Sequence, residues 1–271
     1  YRQDKSVTYI YDIFSKKLTE VAPFTVDLLL PSGAENLNYV LYTDESPYKM
    51  QREWLDRLPF DIYSVNVHTG AKRLIGRSYR TAPKWSVNGK WAVMYDPIAQ
   101  VWNKFDGATG KVVNISDAIG YPMFMESYDK PAPAPAYGIA GWTADGNNVF
   151  LYDAYDWWKI DLTGERQPEC LTKGYGRKHG KSIRKMTSNI DKDVFQKDEK
   201  VIVSLWDKDT MDEGVYQLDM KGRLRKLMEG NYVYTIHRFS DNHEYCVWNR
   251  QNVSEFRDLW WLSLIHISEP T

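Results

Sequence analysis

No stretch of the sequence approaches the ~18 consecutive apolar residues that would suggest a membrane-spanning helix. Cysteine is scarce: Cys170 and Cys246 are the only two, too few for a disulfide framework and without C-x-x-C spacing for zinc or redox chemistry. Both fall on expected strands of different sheets and read as buried free thiols. Charge of one sign is lacking as well. The 35 Lys and Arg stand against 36 Asp and Glu, which removes the global electrostatic case for a nucleic-acid partner. Catalytic motifs are missing too. There is no Gly-rich phosphate loop and no H-E-x-x-H. The nearest approach to a nucleophile elbow, Gly76-Arg77-Ser78-Tyr79-Arg80, lacks the second glycine that the sharp strand-to-helix turn needs. His68, His237 and His243 lie in or beside turns without ligand spacing. No catalytic residue, metal ligand or cofactor-binding residue is therefore assigned, and no cofactor is expected.

Aromatic residues are abundant: 11 Trp and 19 Tyr in 271 residues. Their placement repeats. The stretch from Tyr137 to Thr172 contains an apolar run Ile139–Thr143, an Asp145-Gly146 turn, a β-rich run Val149–Tyr152, a third run Asp156–Leu162, a Thr163-Gly164 turn and a closing Cys170-Leu171-Thr172. Asp-Gly is a tight-turn signal because glycine reaches positive φ at no steric cost, so the stretch reads as one antiparallel four-stranded sheet. Bulky residues at the end of a first strand recur at Leu30, Trp85, Trp142, Phe195 and Phe239, spaced by 55, 57, 53 and 44 residues. Third-strand aromatics recur independently at Tyr11, Tyr63, Trp102, Trp158, Tyr216 and Trp260. Two markers in strict alternation at a period near 50 are the pattern of a β-propeller, whose blades are four-stranded sheets. The fold class expected is all-β: a partial propeller of about five and a half blades over residues 1–261. Wide flat side chains then fill the space between facing sheets.

Along the chain, Tyr1 is not a methionine, and Val7–Ile13 reads as a third strand without its first two. The chain is thus expected to begin inside a blade, with any export signal lying upstream. The charged insertion between Tyr42 and Phe60 holds a candidate helical turn over Gln51–Leu58 with Trp54 and Leu58 on one side. It reads as a surface loop, or as a loop over the propeller mouth or against another domain. Ile119–Ala136 is an inter-blade excursion whose alternating Pro131, Pro133 and Pro135 suit a stiff spacer better than a PxxP ligand. Lys173–Lys185 is the one basic cluster, with Arg177, His179 and Arg184. It reads as a solvated connection, with a carboxylate- or phosphate-binding loop as the alternative. Asp12, Asp106, Asp161 and Asp219 read as turn caps. The tail Leu262–Thr271 resembles the translation of a transposase adapter used in sequencing-library preparation. It is expected to be non-native, which leaves His266 out of any functional argument.

Gly141-Trp142-Thr143, Tyr152-Asp153, Asp156-Trp157-Trp158 and Leu171-Thr172 give the stretch a family resemblance. Together with the surrounding blades, from Val7 to Trp261, it resembles the propeller domain of bacterial S9-family serine peptidases, the prolyl oligopeptidase and dipeptidyl peptidase group. The resemblance implies a seven- or eight-bladed propeller followed by an α/β-hydrolase domain with a Ser-Asp-His triad. It implies that the propeller gates peptide substrates by size without chemistry of its own, and it favours a periplasmic or secreted location. The chain stops before any hydrolase domain, so no triad residue is carried over. Nor is Asp212-Glu213 matched to the paired glutamates by which dipeptidyl members hold the substrate amine. On this reading the chain is the non-catalytic part of a peptidase whose peptide partner is reached through the hydrolase domain. The alternatives are a stand-alone TolB-like propeller that binds proteins, and a propeller lyase or glycosidase with clustered loop residues, of which the sequence shows none.

Overall fold

The computed structural model describes residues 7–23, 26–32, 38–55, 57–186, 193–240 and 244–264. The chain divides into two compact units. The first holds residues 1–136 with the turn segments 145–147 and 162–165, and the second holds the remainder.

The first unit begins with a ribbon of β1 (Thr8–Asp12) and β2 (Lys17–Ala22). A four-stranded antiparallel sheet follows: β3 (Leu28–Leu30), β4 (Tyr39–Asp44), β5 (Phe60–Asn66) and β6 (Lys72–Tyr79). A second one comprises β7 (Lys84–Trp85), β8 (Trp91–Asp96), β9 (Val101–Asp106) and β10 (Val112–Asn114). In the second unit, β11 (Ile139–Thr143), β12 (Asn148–Tyr152), β13 (Trp157–Asp161) and β14 (Glu169–Cys170) are joined by a short helix α1 (Tyr175–Lys178) to β15 (Lys181–Lys185). Then come β16 (Val194–Phe195), β17 (Lys200–Asp207), β18 (Glu213–Asp219) and β19 (Leu224–Gly230). A three-stranded sheet of β20 (Val233–Phe239), β21 (Tyr245–Gln251) and β22 (Asp258–Ser263) completes the unit.

The fold is therefore all-β and of propeller class: successive meandering antiparallel sheets, three of them four-stranded and one carrying β16 as a fifth, parallel strand. Four full sheets, a ribbon and a three-stranded sheet agree with about five and a half blades. Tyr63, Trp102, Trp158, Tyr216 and Trp260 each lie on the third strand of their sheet, as the spacing predicts. Alternation along each strand sends successive side chains to opposite faces. Leu41 of β4 accordingly packs with Ala92, Met94 and Phe105 of the following sheet, while Val40 and Tyr42 pack with Val21 of the preceding ribbon. Aromatic edges fill these seams; Trp85 and Tyr39 both meet the Phe105 ring edge-on, at 6.2 and 5.7 Å.

Three expectations are corrected. Phe195 does not end the first strand of the fifth sheet. β16 instead pairs in parallel with β11, and the first strand is β15, within the basic cluster. Ile183 explains why: it is fully buried against β17 and β18 residues, and that burial outweighs the charge of its neighbours. The helical turn of the first insertion lies earlier, as a 3₁₀ helix over Ser46–Gln51 with proline in its first turn, a position that suits proline's fixed φ and missing N–H. Leu58 is buried whereas Trp54 is exposed, so they do not share a side. Cys170 is only half-buried, although Cys246 is fully so and both are free. The Pro-Ala excursion folds back on its own unit: Met125 N–H donates to the Pro135 carbonyl (2.8 Å) and Tyr95 Oη to that of Ala134 (3.2 Å).

Gly141 is required by close approach. A Cβ there would stand 2.6 Å from the Phe195 ring and 2.8 Å from the Asp193 carbonyl oxygen, at φ 157°. Gly141→Ala is expected to cost about 1–3 kcal/mol by overpacking and to lower the urea midpoint. An unchanged midpoint would contradict the packing of β16 on β11.

Candidate functional site

Among the described residues, polar groups are buried together most densely in the second unit, at the β12–β13 hairpin. The link Asp153-Ala154-Tyr155-Asp156 makes a tight turn because Asp153 Oδ1 accepts from the N–H groups of Tyr155 (2.7 Å) and Asp156 (2.6 Å), an Asx turn. Its other oxygen accepts from Trp158 Nε1 (3.1 Å) and from the Arg177 guanidinium (3.0 Å). Asp156 Oδ1 accepts from Thr172 Oγ1 (2.6 Å) and Gly176 N (2.9 Å), and Oδ2 from Arg177 N (3.0 Å). Both carboxylates are fully buried. Buried charges persist only when paired and hydrogen-bonded, and here each oxygen has at least one donor.

Arg184 enters the same cluster from β15. Its guanidinium donates to the carbonyls of Asp153 (2.6 Å), Ala154 (3.1 Å) and Ile183 (2.8 Å) and lies over the rings of Tyr152 (4.7 Å) and Tyr137 (5.3 Å). Burial lowers its pKa, opposed by Tyr152 and the two aspartates. Tyr152, pushed up to about 12 by burial, accepts from Lys185 N at 3.1 Å. On the outer side Tyr155 carries two cations: Lys208 Nζ lies 4.2 Å from its ring centre and the Arg177 guanidinium carbon 5.1 Å from it.

This geometry holds a loop in place. Seven donors occupy the four carboxylate oxygens. The neighbouring thiol, Cys170, is raised by burial, against what a nucleophile needs. The expected solvated connection is thus half right. Lys173, Lys178 and His179 are exposed, whereas Arg177 and Arg184 are drawn into the acidic hairpin.

The turn acids behave as predicted: Asp12, Asp106 and Asp219 each accept backbone N–H groups two to four residues on, and Asp161 accepts that of Arg166. Ser78 of the glycine-poor elbow sits in strand β6, and no helix follows it. His68 and His237 contact Asn38 (3.4 Å) and Asn249 (2.6 Å); His243 and His266 lie outside the described residues. No group of three His, Cys, Asp or Glu side chains among the described residues is placed to hold a metal ion. No described helix is long and apolar enough to cross a membrane.

Glu213, of the unmatched Asp212-Glu213 pair, has a structural role. Its Oε2 accepts from Tyr234 N at 2.8 Å, tying β18 to β20. Burial lifts its pKa above the ordinary 4.5, and the Tyr234 bond opposes the lift. The folded form therefore keeps this proton to higher pH than the unfolded chain does. The stability it contributes is present below the unfolded pKa and is lost as pH rises through the folded one. Glu213→Gln preserves the acceptor without the titration, so it is expected to raise the melting temperature at neutral pH and to match wild type in acid. A difference independent of pH would contradict this.

No family model matches the sequence, and no curated protein does. Among solved structures, the chain is similar to dipeptidyl peptidase 4 of Porphyromonas gingivalis, with 12% identity, TM-score 0.48, and 95% of this chain and 41% of that one covered. It is also similar to TolB of Acinetobacter baumannii, with 15% identity, TM-score 0.40, and 94% and 56% covered. A third is the acylaminoacyl peptidase of Pyrococcus horikoshii, with 10% identity, TM-score 0.39, and 95% and 40% covered. The chain thus spans about half or less of the length of these three proteins. Similarities of this size decide nothing about what the chain does.

Proposed function

We propose that this propeller module is the non-catalytic, substrate-gating part of an S9-type serine peptidase acting on peptides, and that the hydrolase domain belongs to the same protein. The carrying observation is that residues of the peptidase resemblance converge in one place. Asp153, Asp156, Trp157, Trp158 and Thr172 are joined by direct hydrogen bonds or chain adjacency around Arg177. A motif whose members hold one another in place supports common descent of the propeller. Its saturated carboxylates support a role without chemistry.

The test is recovery of the continuous gene and purification of its product. The whole protein is expected to cleave fluorogenic oligopeptides and to spare folded proteins, and widening the propeller opening should weaken that discrimination. A gene that continues without a G-x-S-x-G strand-turn-helix would overturn the reading in favour of a stand-alone protein-binding propeller.

A further inference from the structure

Asn88-Gly89 is the only Asn-Gly pair in the sequence, and it lies in the turn between β7 and β8. A glycine has no Cβ, so its backbone nitrogen can attack the preceding side chain unhindered. In that reaction a bond forms between Gly89 N and Asn88 Cγ, the Cγ–Nδ2 bond breaks, and ammonia leaves with the Gly89 amide proton. Water then opens the succinimide at either carbonyl, which gives an aspartyl or an isoaspartyl residue.

The folded chain holds every reacting group. Gly89 N–H donates to the Ser86 carbonyl at 2.8 Å, and the Gly89 carbonyl accepts from Ser32 Oγ at 2.6 Å. Asn88 Oδ1 accepts from Ser86 Oγ (2.8 Å) and Lys90 N (3.1 Å). Its Nδ2, the leaving group, donates to the Asp145 carbonyl (2.8 Å) and to Asn147 Oδ1 (3.3 Å). Attack therefore requires the turn to open first. The facing turn, residues 145–147, belongs to the same compact unit and closes tightly on Asn88. A Cβ on Gly146, at φ 69°, would stand 2.7 Å from both Asn88 Cγ and Asn88 N. Asn147 is fixed by Asp145, whose carboxylate accepts from its N–H (2.9 Å) and Nδ2 (3.2 Å). Conversion of Asn88 replaces a donor to the Asp145 carbonyl and Asn147 Oδ1 by a carboxylate, which only accepts.

We propose that Asn88 is a modification site guarded by the fold: it deamidates when its turn opens, and the carboxylate formed releases the 145–147 turn for good. Peptide mapping by mass spectrometry, with fragmentation that separates isoaspartate, follows position 88 at mildly alkaline pH in buffer and in guanidinium chloride. Conversion is expected in both, and to be at least about tenfold slower in buffer, the factor given by an opening cost of about 1.4 kcal/mol. Gly146→Ala and Ser86→Ala leave the Asn-Gly pair intact. Each is expected to speed conversion in buffer and to leave the rate in denaturant unchanged; Ser86→Ala serves alone should Gly146→Ala unfold the unit. Asn88→Asp is expected to speed hydrogen exchange over residues 145–148. No conversion in denaturant, equal rates in the two solvents, a Ser86→Ala rate equal to wild type in buffer, or exchange unchanged by Asn88→Asp would each overturn the proposal.

Discussion

Asp156→Ala is expected to destabilise the second unit by about 3 kcal/mol or more, because three buried donors lose their acceptor at about 1–3 kcal/mol each. The substitution leaves Thr172 Oγ1 and the N–H groups of Gly176 and Arg177 without their acceptor, in a place closed to water. Thr172 also receives the Trp157 N–H at 3.2 Å, so the loss reaches β13 directly. Asn at this position keeps one acceptor oxygen but turns an amide N–H₂ toward a donor, and about 1–3 kcal/mol is expected. Because the chain has two compact units, one global unfolding curve mixes their responses. Peptide-resolved hydrogen exchange over β12, β13 and β15 isolates the relevant one. Protection unchanged by Asp156→Ala would mean that the carboxylate is not the centre of this hairpin.

Trp157→Ala is the second large effect, at about 3–5 kcal/mol by removal of a wholly buried aromatic side chain. Trp157 has no exposed surface. Its ring meets Tyr152 edge-on at 5.2 Å and lies 6.1 Å from Phe195 and 6.4 Å from Phe150. Its indole N–H donates to the Ile183 carbonyl at 3.1 Å, which ties β13 to β15. Phe at this position fills most of the volume and forfeits the hydrogen bond, while the Ile183 carbonyl keeps the Arg184 guanidinium as donor, so a loss of about 0.5–1.5 kcal/mol is expected. Urea titration read by exchange at β13 and β15 separates the three proteins. If Ala and Phe cost the same, the hydrogen bond dominates and the ring packing does not.

These two residues also show what the sequence could and could not disclose. Strands were legible because turn chemistry punctuates them: Ile139–Thr143 is a strand with the bounds that the Asp145-Gly146 turn suggests. The sheet repeat was legible because facing sheets need wide side chains at one position per blade, and Trp157 falls at such a seam. The polar cluster was not. Charge along a chain does not reveal which cations will be buried, and Arg177 and Arg184 look like their neighbours Lys178 and Lys185. The available signal was the opposite partner: two aspartates three residues apart in an aromatic hairpin call for buried donors nearby. Phe195 misled for a related reason. It has the apolar neighbours of a first strand, but parallel pairing with β11 is set by the space beside Gly141, which no local pattern records.

The most direct test of a gating module without chemistry of its own is labelling with a fluorophosphonate probe, followed by mass spectrometric mapping. The chain alone is expected to remain unlabelled, while the product of the continuous gene is labelled at one serine outside residues 1–261. A labelled serine within residues 1–261, or a continuous gene product with no reactive serine, would contradict it.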